Sequence, residues 1–143
     1  MQRRQGARES LIVRSIWASC LLIATANHLH ILWLHGLFWD YGGAHWTSAA
    51  YWTGLTLLDP VVAVLLFARP KLGIVATIAL ITTNVVHNLT IMVPLSPEGG
   101  FLLRAASNPF VASQVLFMGF VWATAFLAWR GVGTRSVQAS RTS

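Results

Sequence analysis

The chain has 143 residues, of which 55% are hydrophobic and 10% charged. A water-soluble domain carries roughly 25% charged residues, so this deficit, gathered in long apolar runs, points to a membrane protein and leaves no room for a separate soluble domain. The net charge of +6 does not indicate nucleic acid, because the basic residues flank apolar runs instead of studding a soluble aromatic face.

Residues 1–10 read as a polar, basic cytoplasmic tail with Arg3, Arg4 and Arg8. The apolar run that follows is too long for a signal-peptide core. The first span is predicted over residues 11–37 and carries Asn27, His28, His30 and His35. Arg14 lies near its inner end, where a long cationic side chain snorkels to the interface. Cys20, the single cysteine, lies within this span, so no internal disulfide is possible. An outer loop over 38–46 joins Tyr51 and Trp52 in an aromatic belt, with a short interfacial helix expected over 45–52.

The second span is predicted over 50–68, with Asp59 and Pro60 near its middle. Proline has no N–H, so Pro60 is expected to bend the span and free the carbonyl of Thr56. A tight basic turn over 69–73 leads to the third span, 73–94. Residues 96–100 read as a turn and 101–104 as a surface segment. Asn108 and Pro109 form a helix start, with Asn at the N-cap and Pro at the first helical position. The fourth span follows over 109–129, and residues 131–143 read as a disordered cytoplasmic tail.

The transmembrane domain thus covers residues 11–130. The expected fold is an all-α, antiparallel bundle of four transmembrane helices, joined by short turns. Nine of the ten basic residues fall on the side of the termini and the 69–71 turn, and only Arg104 falls on the other. That bias predicts both termini in the cytoplasm. The plain expectation for location is a multi-pass protein of a bacterial inner membrane.

Each span places polar groups between its middle and its outer end. Asn84, His87 and Asn88 lie at i, i+3 and i+4 on the third span and share one helix face. Such a stripe must face protein or water and not lipid. Asn27 and His28 lie mid-span on the first helix, with His35 two turns further out on the face of His28; Gln114 lies in the outer half of the fourth. The amides alone are ordinary interhelical hydrogen-bonding groups. Asp59 is different, because a mid-span carboxyl costs about 2.5–3.5 kcal/mol to insert and normally faces a cavity or a partner. His87 and His28 are its natural partners. An Asp–His pair in a dry pocket suits general acid–base chemistry, or fixes a polar head group while apolar walls hold the rest of a ligand.

Asp59 in the second span, and the segment 85–94 with His87 and a terminal proline, resemble the EXPERA family of four-helix membrane proteins, which includes sterol isomerases and the sigma-2 receptor. The resemblance implies a pocket in the outer half for a lipophilic ligand, with Asp59 and, after it, His87 as key groups. The chain departs from that pattern in its short loops and in lacking an acid within the first span.

The leading expectation is therefore a pocket that binds or isomerises a lipophilic small molecule. Asp59 and His87 would be catalytic, and His28, Asn84, Asn88, Gln114, Asn27 and His35 would bind the ligand. Membrane lipid is the other expected partner, and no metal site or resident cofactor is expected. The alternatives are a haem b electron carrier with His28 or His35 facing His87 as axial ligands, a small transporter completed by homo-oligomerisation, and an accessory subunit whose polar groups are interhelical glue.

Overall fold

The computed structural model describes residues 2–94 and 99–132. Among them the chain forms five helices: α1 (Gln2–His35), α2 (Trp46–Ala68), α3 (Pro70–Met92), α4 (Phe101–Ser107) and α5 (Pro109–Arg130). Four of these, all but α4, are long and apolar enough to cross a membrane. The turn expected at 96–100 and the tail expected at 131–143 lie largely outside the described residues.

The boundaries differ from expectation in three places. α1 runs back through the expected tail to Gln2. Its first turns are held by partners at the far end of the chain: Glu9 pairs with Arg130, and Ser10 donates to the carbonyl of Ala128 at 2.5 Å. That carbonyl lies in the last turn of α5, where it lacks an intrahelical donor. No separate helix covers 45–52. His45 is the N-cap of α2, its Nδ1 accepting from the N–H of Thr47, so α2 starts four residues earlier than the hydropathy suggests. Arg14 does not snorkel. It is buried and donates to the carbonyl of Leu66. The reason is Pro70: the N–H that would serve Leu66 belongs to residue 70, and proline has none.

The Asn108–Pro109 start is as expected, with Asn108 Oδ1 accepting from the N–H groups of Phe110 and Val111 at 3.0 and 3.2 Å. α2 continues through Pro60 as one helix. α1 ends at Gly36, whose φ of +84° gives the left-handed C-terminal cap that glycine adopts without strain.

α1 packs on α2 and α5, and α3 packs on the same two helices, closing a ring of four; α4 lies against α5 and α3. The apolar core fills one end of this ring, around Trp17, Leu66, Ile74, Val121 and Ala128. Two close backbone approaches pin that end. A Cβ on Gly73 would stand 2.4 Å from the backbone nitrogen of Leu66, and one on Gly131 would stand 2.4 Å from the carbonyl oxygen of Gly6. Trp17 adds an indole hydrogen bond to Thr124 at 3.1 Å. Towards the opposite end lie Asn27, His28, Asp59, Asn84 and Gln114, which line a cavity.

Candidate functional site: a polar ring between two chambers

The helix register brings together side chains that sequence spacing could only place at one level. Asn27 and His28 of α1, Asp59 of α2, Asn84 of α3 and Gln114 of α5 line one cavity of about 380 Å³. The remainder of its wall is mainly apolar, from Leu21, Ile23, Leu80, Ile81, Phe110 and Phe117. A second cavity of about 450 Å³ adjoins it and shares Asn27, His28, Phe110 and Gln114. Tyr41, Trp52, Asn88, Arg104 and Asn108 complete much of its lining. We call these the inner and outer chambers. The shared Asn27, His28 and Gln114, with Asp59 and Asn84 on one side and Asn88 on the other, form a polar ring between them.

Asp59 is buried, and its Oδ2 lies 3.9 Å from His28 Nε2. His28, and not His87, is thus the imidazole beside the acid. The separation is longer than a hydrogen bond and short enough for an ion pair when the imidazole carries a proton. His28 Nδ1 is buried without a hydrogen-bond partner, and so is Thr56 Oγ1, one turn from Asp59 on α2. An unpaired buried polar atom costs about 1–3 kcal/mol, so His28, which lines both chambers, marks a place where a further polar group would be stabilised.

Asn88 ties the ring together. It accepts from Trp52 Nε1 at 2.9 Å and donates to Gln114 Oε1 at 2.7 Å and to Asn84 Oδ1 at 3.3 Å. This network joins α2, α3 and α5 and sets the rotation of each about its axis. Interhelical hydrogen bonds of this kind contribute about 0.6–2 kcal/mol each.

Two expected site residues stand apart. His87 lines neither chamber. Its ring packs on Tyr51, with centroids 4.6 Å apart, and edge-on to Trp52 at 5.7 Å. Its Nε2 and the Tyr51 hydroxyl are buried without partners, so this pair forms a second polar spot behind Trp52. His35 is exposed at the end of α1 and stacks on Trp39 at 3.9 Å.

Sequence spacing did not assign Tyr41, Trp52 or Arg104 to the site. Tyr41 takes a left-handed φ of +55°, rare for a residue with a side chain. Its ring is held between Trp39 at 4.6 Å and Trp52 at 5.0 Å, which folds the loop after α1 over the outer chamber. The glycines that follow it, Gly42 and Gly43, were the available signal for a tight loop in this segment. No group of three or more His, Cys, Asp or Glu suited to a metal ion occurs among the described residues. Comparison with known protein families, curated proteins and solved structures finds no match for this chain.

Proposed function

We propose that this is a small multi-pass membrane protein whose polar ring binds a lipophilic small molecule, with Asp59 and His28 holding the ligand's polar group. The observation that carries the reading is the shared wall: four helices each contribute a polar side chain to one otherwise apolar chamber. Binding sites for small ligands commonly have that make-up, apolar walls with a few convergent polar groups. The unpaired nitrogen of His28, a residue on the wall of both chambers, gives the ligand hydrogen-bonding work to do. If the bound molecule isomerises, Asp59 and His28 are the groups placed to move its proton. The likeness of Asp59 to the second-span acid of EXPERA proteins points the same way, whereas His87, which that likeness also implies, lines neither chamber.

The reading places the four long helices antiparallel across the bilayer, with both termini and the Arg69–Lys71 turn in the cytoplasm. The distribution of basic residues supports this orientation. Large apolar side chains on the outside, such as Trp33, Leu57, Leu116 and Phe126, support lipid contact. A bacterial inner membrane fits the short loops and this charge bias.

Identification of small molecules that co-purify with the intact protein in detergent tests the reading. A defined lipophilic species held at stoichiometric level supports it. Recovery of bulk lipid alone, in the proportions of the host membrane, contradicts it.

A second reading, haem b binding, draws on the buried, unpartnered Nδ1 of His28, which lines both chambers, and not on His87, which lines neither. With its Nε2 turned to Asp59, His28 has the carboxylate-backed arrangement common to metal-ligating histidines. A Soret band in the purified protein would establish haem, and a negative pyridine assay after expression with added haem would remove it.

A further inference from the structure

We propose that the ligand carries an uncharged carbonyl, its oxygen held in the inner chamber by the amide N–H groups of Asn84 and Gln114. The inference rests on the reading of the ring as a lipophilic binding site and adds the class of molecule bound.

The polarity of the ring is set from outside the inner chamber. An indole nitrogen donates and never accepts. Trp52 Nε1 lies 2.9 Å from Asn88, so Asn88 must turn its oxygen to the indole. The Asn88 nitrogen then meets the other two amides, donating to Gln114 Oε1 at 2.7 Å and to Asn84 Oδ1 at 3.3 Å. Both of those oxygens are thereby engaged by Asn88, which is not part of the inner wall. Asn84 and Gln114 do line the inner chamber, and what they have left for it is their nitrogens. Neither Asn84 Nδ2 nor Gln114 Nε2 donates to another group among the described residues. One tryptophan thus fixes two open donors, on α3 and α5, in the wall of a mainly apolar chamber.

Two donors select the polar atom of the ligand. A carbonyl oxygen has two lone pairs and accepts from both. An ammonium has none and would leave both N–H groups unpaired. A carboxylate accepts, but it would share the chamber with the like-charged Asp59, and among the described residues no Lys or Arg lines that chamber. A hydroxyl accepts too, yet it brings a proton that needs an acceptor of its own. Leu21, Ile81 and Phe117 offer apolar surface to the hydrocarbon on either side of the carbonyl.

Cys20 on the inner wall is a native reporter, since it is the chain's single cysteine. The test uses the full chain in lipid nanodiscs and measures protection of Cys20 from N-phenylmaleimide. The probes are dodecan-2-one, its hydrocarbon isostere 2-methyldodec-1-ene, dodecan-2-ol, dodecan-2-amine and dodecanoate. The ketone should half-protect at a mole fraction about tenfold below that of the alkene, the gain expected of two neutral hydrogen bonds. It should also act below the alcohol, the amine and the acid. Asn84→Leu and Gln114→Met should each shrink the ketone-to-alkene ratio while the alkene still protects. Trp52→Phe should shrink it as well, although Trp52 is not on the inner wall, because Asn88 is then free to turn over. In wild type, the infrared carbonyl band of isotope-labelled dodecan-2-one should fall below its position in protein-free nanodiscs. Equal protection by ketone and alkene, tighter protection by the alcohol, amine or acid, a ratio unchanged in all three variants, or an unshifted band would overturn the carbonyl and leave the lipophilic pocket standing. Failure of every probe to protect would remove both. Where Cys20 does not react in the ligand-free protein, the infrared band in wild type and the three variants reads the same comparison.

Discussion

Arg14 of α1 donates its guanidinium to the carbonyl oxygen of Leu66, an acceptor that Pro70 leaves without its helical donor. A single proline at the α2–α3 turn thereby explains why a cation is buried in the apolar end of the ring. Arg14→Met should cost about 1–3 kcal/mol, because it strands a buried carbonyl. Pro70→Ala supplies an N–H at position 70 and should recover part of that loss in the double variant. Unfolding in detergent by circular dichroism checks both. Additive losses from the two substitutions would show that the proline and the arginine are not coupled.

The close approach at Gly73 yields an asymmetric pair of glycine substitutions. Gly73→Ala puts a Cβ 2.4–2.6 Å from the backbone of Leu65 and Leu66, and backbone cannot step aside as a side chain can. We expect a loss of at least about 2–3 kcal/mol. Gly54→Ala meets nothing within 4 Å in the body of α2 and should stabilise by about 0.5–1 kcal/mol. Midpoints of thermal unfolding that move in the same direction for both would refute the packing at the turn.

Asn88→Ala removes the hub between Trp52, Asn84 and Gln114. The expected cost is about 1–2 kcal/mol. Ligand affinity should also fall, because Gln114 and Trp52 line the chambers and lose the contact that fixes them. The His87→Gln variant should leave affinity within about twofold, since His87 lines neither chamber. Binding isotherms for the two variants, compared at matched thermal stability, decide this.

The proposed orientation is tested with single cysteines in a Cys20→Ser background. Lys71→Cys and Leu102→Cys sit at exposed positions on opposite ends of the ring. A membrane-impermeant maleimide applied to intact cells should label Leu102→Cys and reach Lys71→Cys only after lysis. The reverse pattern would place the termini outside.

Much of the architecture was legible in the sequence because it depends on local terms. Apolar run length gave the four long helices, and the Asn108–Pro109 pair gave the start of α5 from capping chemistry alone. The level shared by Asn27, His28, Asp59, Asn84 and Gln114 was also legible, because depth along a helix follows from residue count. Which imidazole meets Asp59 was not. His28 and His87 lie at similar depths, and the choice depends on how each helix is rotated against its neighbours, set here by contacts such as Trp52 to Asn88. The fate of Arg14 was hidden for a similar reason: the need of the Leu66 carbonyl is local, but the residue that meets it comes from another helix 52 positions away. His45 as an N-cap was missed because the apolar pattern of α2 begins only after it.

The central claim is that Asp59 and His28 hold the polar group of a ligand inside the ring. Native mass spectrometry of the intact protein released from detergent tests it most directly, comparing wild type with Asp59→Asn and His28→Gln. We predict a small molecule bound to wild type, with occupancy at least about tenfold lower in both variants while each unfolds within a few degrees of wild type. Equal occupancy in all three proteins would contradict the account.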